Sequence, residues 1–172
     1  MNRFLILLRG VNVSGKNKLP MEIFRTLLMS YGFTNVSTYI QSGNILLNSD
    51  CTPKVIENQI SLLLQEKYGY KIPVFVYTRA DWMKIIGNCP YQEGERKLYF
   101  TFLKDTPNQD ATRAYKNEND EFTMIDNVLY LACVSYGKTK LNNTFLEKHF
   151  KVSATTRNQN TVMTLWAMLT KP

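Results

Sequence analysis

The stretch VSTYIQSGNILLNS, residues 36–49, decides how the first half of this chain folds. Val36–Gln41 and Ile45–Ser49 read as strands, and Ser42-Gly43-Asn44 between them is turn chemistry, so the stretch predicts a tight β-hairpin. Upstream, Arg3–Arg9 (RFLILLR) is an apolar run with an arginine at each end, the pattern of a buried central strand. Between the two, Pro20 opens and Gly32 closes a stretch carrying Ile23, Leu27, Leu28 and Tyr31 at helical spacing. Downstream, Thr52 caps and Pro53 starts a second helix with Val55, Ile56, Ile60, Leu63 and Leu64, stopped by Gly69. Ile72–Thr78 (IPVFVYT) is a further strand, and its Pro73 places it at a sheet edge. Residues 1–78 therefore spell βαββαβ.

The second half repeats the order without repeating the residues. A short helix over 79–86, with Thr78 and Asp81 at capping-box spacing, and a loop over 87–96 lead into it. Lys97–Lys104 is a strand, Thr106-Pro107 opens a helix running to Asn117, and Glu121–Ile125 and Val128–Val134 form a hairpin across Asp126-Asn127. Leu141, Phe145, Leu146 and Phe150 stripe another helix, Val152–Thr156 is a short strand, and Thr161–Leu169 is a closing helix. The expected fold class is α+β. It is a tandem pair of ferredoxin-like βαββαβ units, 1–78 and 97–172, joined by 79–96, with an extra C-terminal helix, the whole forming one compact domain. The alternative is a single larger mixed sheet with helices on one face.

At 172 residues the chain has the length of about one domain. Its 44% apolar and 20% charged residues exclude a disordered tail or a coiled coil. Cys51, Cys89 and Cys133 are far apart and odd in number, with no CxxC pair, which argues against a disulfide framework or a structural zinc site and for a reducing compartment. The longest apolar run, Phe4–Leu8, is too short for a signal core or a bilayer span, so a cytoplasmic protein without a membrane partner is expected. His149 is the sole histidine and lies on a helix of ordinary amphipathic pattern. No HExxH, GxSxG or paired-carboxylate pattern occurs, so no catalytic residue, metal or cofactor is assigned and the question of enzymatic activity stays open.

The net charge of +7 is unevenly placed. Residues 1–21 hold four basic residues and no acid, and residues 137–172 hold six against Glu147 alone. Positive charge at both ends of the chain predicts a partner that is an anion, if the two ends share a surface. In a βαββαβ unit the end of the first strand meets the start of the third. That brings Arg9, Asn12 and Lys16 beside Gln41, Ser42 and Asn44, a cationic set rich in amides and hydroxyls, near the start of the first helix. The loop Gly10–Asn17 reads G-x-x-x-x-G-K-N. It is one residue short of a P-loop, because the hydroxyl that would hold Mg²⁺ is missing and Pro20 delays the helix. Phosphate binding without hydrolysis fits these residues better than an NTPase. An RNA-recognition module is poorly supported. Phe4 stands among leucines in the first strand and Ile45–Ser49 has no aromatic, although the charge keeps nucleic-acid binding open.

Four blocks, LLRGVNVSGKNKLPM, TYIQSGNILLNS, YGKTKLNNTFLEKHF and ATTRNQNTVMTL, together resemble the bacterial family called domain of unknown function 1697. The resemblance extends over nearly the whole chain. It implies a cytosolic α+β protein with no assigned activity. It adds Lys138, Arg157, Asn158 and Thr161 to the candidate site, within the basic C-terminal segment. Two positions depart from the family pattern: Gln159 stands where an aromatic usually follows the Arg-Asn pair, and Ser14 where a second glycine is usual. The first departure removes an aromatic platform and weakens base stacking. The resulting expectation is a binding protein for a phosphorylated or other anionic small ligand. The alternative is a nucleic-acid-binding accessory protein.

Overall fold

The computed structural model describes residues 1–13, 15–92, 94–107 and 120–171. They form a mixed α+β fold with two four-stranded antiparallel sheets and five helices among the described residues. The chain does not build the single larger sheet. It divides into two units, 1–83 with 165–172 and 84–164.

In the first unit β1 (Asn2–Leu8), α1 (Met21–Ser30), β2 (Thr34–Tyr39), β3 (Asn44–Ser49), α2 (Pro53–Tyr68) and β4 (Val74–Thr78) follow one another. The sheet order is β2-β3-β1-β4. The apolar run of β1 is central, as its composition requires, antiparallel to β3 with Arg3 opposite Asn48 and Leu7 opposite Asn44. It is also antiparallel to β4, with Phe4 opposite Thr78. Phe4, Ile6 and Leu8 join Phe24 and Leu28 of α1 and Ile56, Ile60 and Leu63 of α2 in one core. β4 is an edge strand, and Pro73 stands just before it, where the missing N–H costs no ladder bond.

The helix ends follow local chemistry. Thr52 Oγ1 accepts from Val55 N, Pro53 is the first helical residue, and Gly69 ends α2 in the left-handed region at φ 71. Thr78 and Asp81 make a reciprocal cap for α3 (Arg79–Gly87). Thr78 N donates to Asp81 Oδ2 at 2.8 Å and Asp81 N donates to Thr78 Oγ1 at 3.1 Å.

The second unit carries β5 (Lys97–Leu103), β6 (Glu121–Ile125), β7 (Val128–Cys133), α4 (Asn143–Phe150) and β8 (Ala154–Asn158), in sheet order β6-β7-β5-β8. The helix expected to run to Asn117 lies, from residue 108 on, outside the described residues. The last strand sits two residues later than the sequence suggests. Lys151 leaves α4 left-handed at φ 55, and pairing with β5 begins only at Ala154, opposite Leu103. Arg157 is therefore a strand residue opposite Phe100. The last helix, α5 (Gln159–Thr170), begins directly after it. No described helix is long and apolar enough to cross a membrane.

The β2–β3 turn fixes how β1 ends. Leu8 N donates to Gly43 O at 2.8 Å, and Gly43 adopts φ 77. A Cβ there would meet Val11 Cγ2 at 2.6 Å and Leu8 Cβ at 2.8 Å, whereas one at Gly15, of similar φ, would meet open space. Gly43→Ala is therefore expected to lower stability by about 3 kcal/mol, combining left-handed strain with overpacking, and Gly15→Ala by about 1 kcal/mol. Urea unfolding of the two variants checks this; equal losses would show that the close approach does not matter.

Candidate functional site

The structure brings Arg9 and the loop after β1 against the β2–β3 turn, and it reveals what the polar residues there do. Asn12, left-handed at φ 54, donates its side-chain amide to Leu19 O and Gln41 O, both at 2.8 Å, and accepts from Leu19 N at 2.8 Å. Asn17 Nδ2 donates to Gly10 O at 3.0 Å. Backbone N–H groups of Asn12 and Lys16 donate to Asn17 O and Val13 O, closing a small bridge between Val13 and Lys16. A phosphate-cradling loop keeps such N–H groups open toward its ligand. Here these two are engaged within the loop. Asn44 is fully buried and donates to Tyr39 O and Ser42 Oγ, holding the turn. Arg9 is half-buried and its backbone N–H donates to Pro73 O, while Lys16 and the Gln41 side chain are exposed. Ser14 lies outside the described residues.

The other four candidates belong to the second unit. Lys138 is exposed, its N–H closing a turn onto Ser135 O. Asn158 Oδ1 accepts from Thr161 N at 2.8 Å, capping the start of α5, and Thr161 is buried. Arg157 is only 8% exposed. Its guanidinium donates to Thr155 Oγ1 at 2.8 Å and Thr156 O at 2.9 Å. Beside it, on the opposite face of β8, Thr156 Oγ1 meets Thr101 Oγ1 and Asn143 Oδ1, each at 2.7 Å, and accepts from the Tyr136 hydroxyl.

At the far end of the first unit's sheet, where β1 begins and β3 and β4 end, lies a cavity of about 1150 Å³ that the sequence reading did not anticipate. Because β1 is antiparallel to both neighbours, α2 and α3 both start at this end. Their positive dipole ends meet three cations on the lining, Arg3, Arg79 and Lys171. Phe4 stands opposite Thr78, and Arg3 and Arg79 each lie one residue beyond that last pair of the ladder. The one acid on the lining, Asp50, is ion-paired with the Met1 amine at 3.1 Å.

Arg3 is the centre of this arrangement. Its guanidinium donates to Asn48 Oδ1 at 3.1 Å and reaches Ser37 Oγ and Asn35 O at 3.4 Å. The last contact depends on an irregularity. The β2–β3 register shifts between Thr34 and Ser37, and Asn35 turns left-handed at φ 47. Arg3 Nε is buried without a hydrogen-bond partner. Arg79 is held from the other side, its guanidinium carbon 6.0 Å from the Trp166 ring centroid. The sequence signal for this site was present in part: Arg3 and Arg79 each lie one step outside an apolar strand, RFLILL and VFVYT, and antiparallel pairing of those strands brings them to the same sheet end. Asn35, Ser37 and Asn48 carried no such signal. Among the described residues no group of three His, Cys, Asp or Glu is arranged to hold a metal ion.

A family model described as protein of unknown function (DUF1697) matches residues 1–130, and the chain belongs to that family. A search of curated proteins found no match. Among solved structures the chain is similar to the conserved bacterial protein SP0830 from Streptococcus pneumoniae, with a TM-score of 0.78 at 20% identity over 98% of each chain. That likeness is one of fold.

Cys51 lines the cavity and makes it accessible to a chemical probe. Burial pushes the Cys89 and Cys133 thiols up, so both hold less thiolate near neutral pH, and the thiolate is the reactive form. At about pH 7.5 a thiol reagent is expected to modify Cys51 first and the fully buried Cys133 last, with Cys89 gaining as the pH rises. Peptide mass mapping of timed samples checks the order; Cys89 reacting ahead of Cys51 would mean that the cavity is closed to solutes.

Proposed function

We propose that this member of the DUF1697 family is a binding protein for a small anionic ligand, a phosphorylated compound in particular, held in the cavity at the start of β1. The supporting observation is a cavity that holds Arg3, Arg79 and Lys171 on its lining beside the starts of α2 and α3. Each guanidinium offers the planar fork that suits phosphate oxygens. Cations and helix N-termini acting together are a recurrent anion-binding combination. The lining has no histidine, and its one thiol, Cys51, stands without a base, so the reading is of binding rather than of a defined reaction.

The reading takes the frame as two ferredoxin-like units in tandem, 1–78 and 97–172 joined by 79–96, in the cytoplasm, with the end of the last helix, from residue 165, belonging to the first unit. The strand orders β2-β3-β1-β4 and β6-β7-β5-β8 support it. The basic loop around Lys16 is the weaker place for the anion, because the amides of Asn12 and Asn17 brace the loop itself. Arg9, Gln41, Ser42, Lys138 and Arg157 are kept as residues that could add field or contacts to an anion elsewhere on the molecule.

Calorimetric titration with inorganic pyrophosphate tests the site. Arg79 is exposed, so Arg79→Ala leaves the core intact, and a lost charge-assisted bond should weaken binding about tenfold or more. Arg79→Lys should recover only part of that. Unchanged affinity in Arg79→Ala would move the anion away from this cavity. Binding of single-stranded or duplex nucleic acid with a steep log–log salt slope, about −0.7 to −0.9 per phosphate contacted, would favour the nucleic-acid reading instead.

A further inference from the structure

Resting on that reading, the rest of the lining narrows the ligand class: we infer that the cavity takes a phosphorylated polyol or sugar. Its volume, about 1150 Å³, far exceeds what a bare phosphate fills and lies just above the usual range of small-molecule sites, about 300–1,000 Å³. Such sites are usually walled by apolar and aromatic side chains. This one has an apolar wall, with Val36, Met168 and Leu169 on it, but no aromatic face: Phe4, the one aromatic residue among the described lining residues, is 3% exposed. Beside the cations lies a set of amides and hydroxyls: Asn2, Asn35, Ser37, Asn48 and Thr52.

These groups are weighted toward donors. Asn48 Oδ1 accepts from Arg3, which leaves the amide N–H groups of Asn48 for another partner. Ser37 Oγ accepts from Arg3 and Thr52 Oγ1 accepts from Val55 N, so each hydroxyl keeps its own hydrogen to donate. A ligand made of hydroxyl oxygens supplies many acceptors in a small volume. A phosphoryl group on the Arg79 and Lys171 side and a hydroxylated body against Arg3 and the amides of β2 and β3 satisfy both halves of the lining. A nucleotide's base would find no aromatic face on the lining, only the Arg79 face not turned to Trp166.

The experiment is a calorimetric panel on the full chain. Glycerol 3-phosphate, ribose 5-phosphate and glucose 6-phosphate are compared with inorganic phosphate and adenosine 5′-monophosphate, and Cys51 labelling is followed as the local readout. The expected result is that the tightest polyol phosphate binds at least tenfold better than inorganic phosphate, and that adding the base to ribose 5-phosphate gains nothing. Polyol phosphate, but not the unphosphorylated polyol, should slow Cys51 labelling. Asn2→Ala, at an exposed lining amide that does not hold Arg3, should remove much of the tenfold gain while leaving inorganic phosphate within about twofold. Asn48→Ala, which also releases the Arg3 guanidinium, should weaken polyol phosphate and inorganic phosphate alike. Polyol phosphates equal to inorganic phosphate would overturn this inference and leave the anion reading standing. Tighter binding of the nucleotide would overturn it in favour of a base-recognising site. No binding of any phosphate, with Cys51 labelling unaffected, would remove the anion reading itself.

Discussion

β1 is antiparallel to both of its neighbours, and from that constraint the chemistry of the first unit's two sheet ends follows. A central strand with apolar side chains on both faces can be satisfied only by a hydrogen-bonded neighbour on each edge and packed layers above and below. Once β3 and β4 both run against it, the ends of β3 and β4 must lie at its start. The helices that follow those strands begin there too. Two helix N-termini therefore converge at one end without any residue having been placed to achieve it. The flanking arginines that end the apolar runs are carried to the same place by the same register. At the other end, the exit from β1 meets the β2–β3 turn, where Gly43 allows contact closer than any Cβ would permit.

The two ends have opposite characters although both are polar and basic. Around the loop after β1, Asn12 engages both amide hydrogens and its oxygen with backbone groups, and Asn44 is sealed under the turn. Asparagine is well suited to such bracing because a short amide can satisfy a donor and an acceptor at once and tolerates the left-handed region. At the start of β1, Arg3 Nε has no acceptor, and the sheet is irregular where β2 shifts register. The first end is braced by its own side chains, and the second is less completely paired.

Much of the frame was legible from residues alone. The apolar run of β1, the hairpin turn at Gly43, Thr52-Pro53 ahead of α2, Gly69 behind it, and the Thr78/Asp81 cap are local signals, each set by φ preference or by a side chain within four residues of its partner. The late start of β8 was not, since it depends on where Lys151 turns the chain out of α4 and on pairing with β5. The site divided along the same line. Glycine, asparagine and lysine in Gly10–Asn17 have a spacing that imitates a phosphate loop, yet spacing does not reveal that the asparagine amides donate to backbone carbonyls of the loop and the facing turn. Arg3 looked like the charged edge of a strand. Its contacts lie 32 to 45 residues away in sequence, on two other strands, and one requires a left-handed Asn35 that no local pattern announces.

The electrostatics of the cavity follow from what surrounds its cations rather than from their number. The chain's excess of positive charge is an average over a surface on which most lysines are solvated and screened beyond about 8–10 Å at physiological salt. Arg3 differs because its guanidinium is fixed by Asn48 and by the carbonyl of Asn35, neutral groups that orient it without cancelling its charge. Arg79 differs because one of its faces is against Trp166, which orders it at little desolvation cost. Asp81, the nearest acid in sequence to Arg79, is turned into its own helix cap through Thr78. Asp50 is taken by the Met1 amine. Both acids have partners of their own, and neutral groups hold Arg3 in place, so the field of the cavity depends on how its cations are fixed and not on the net charge of the chain.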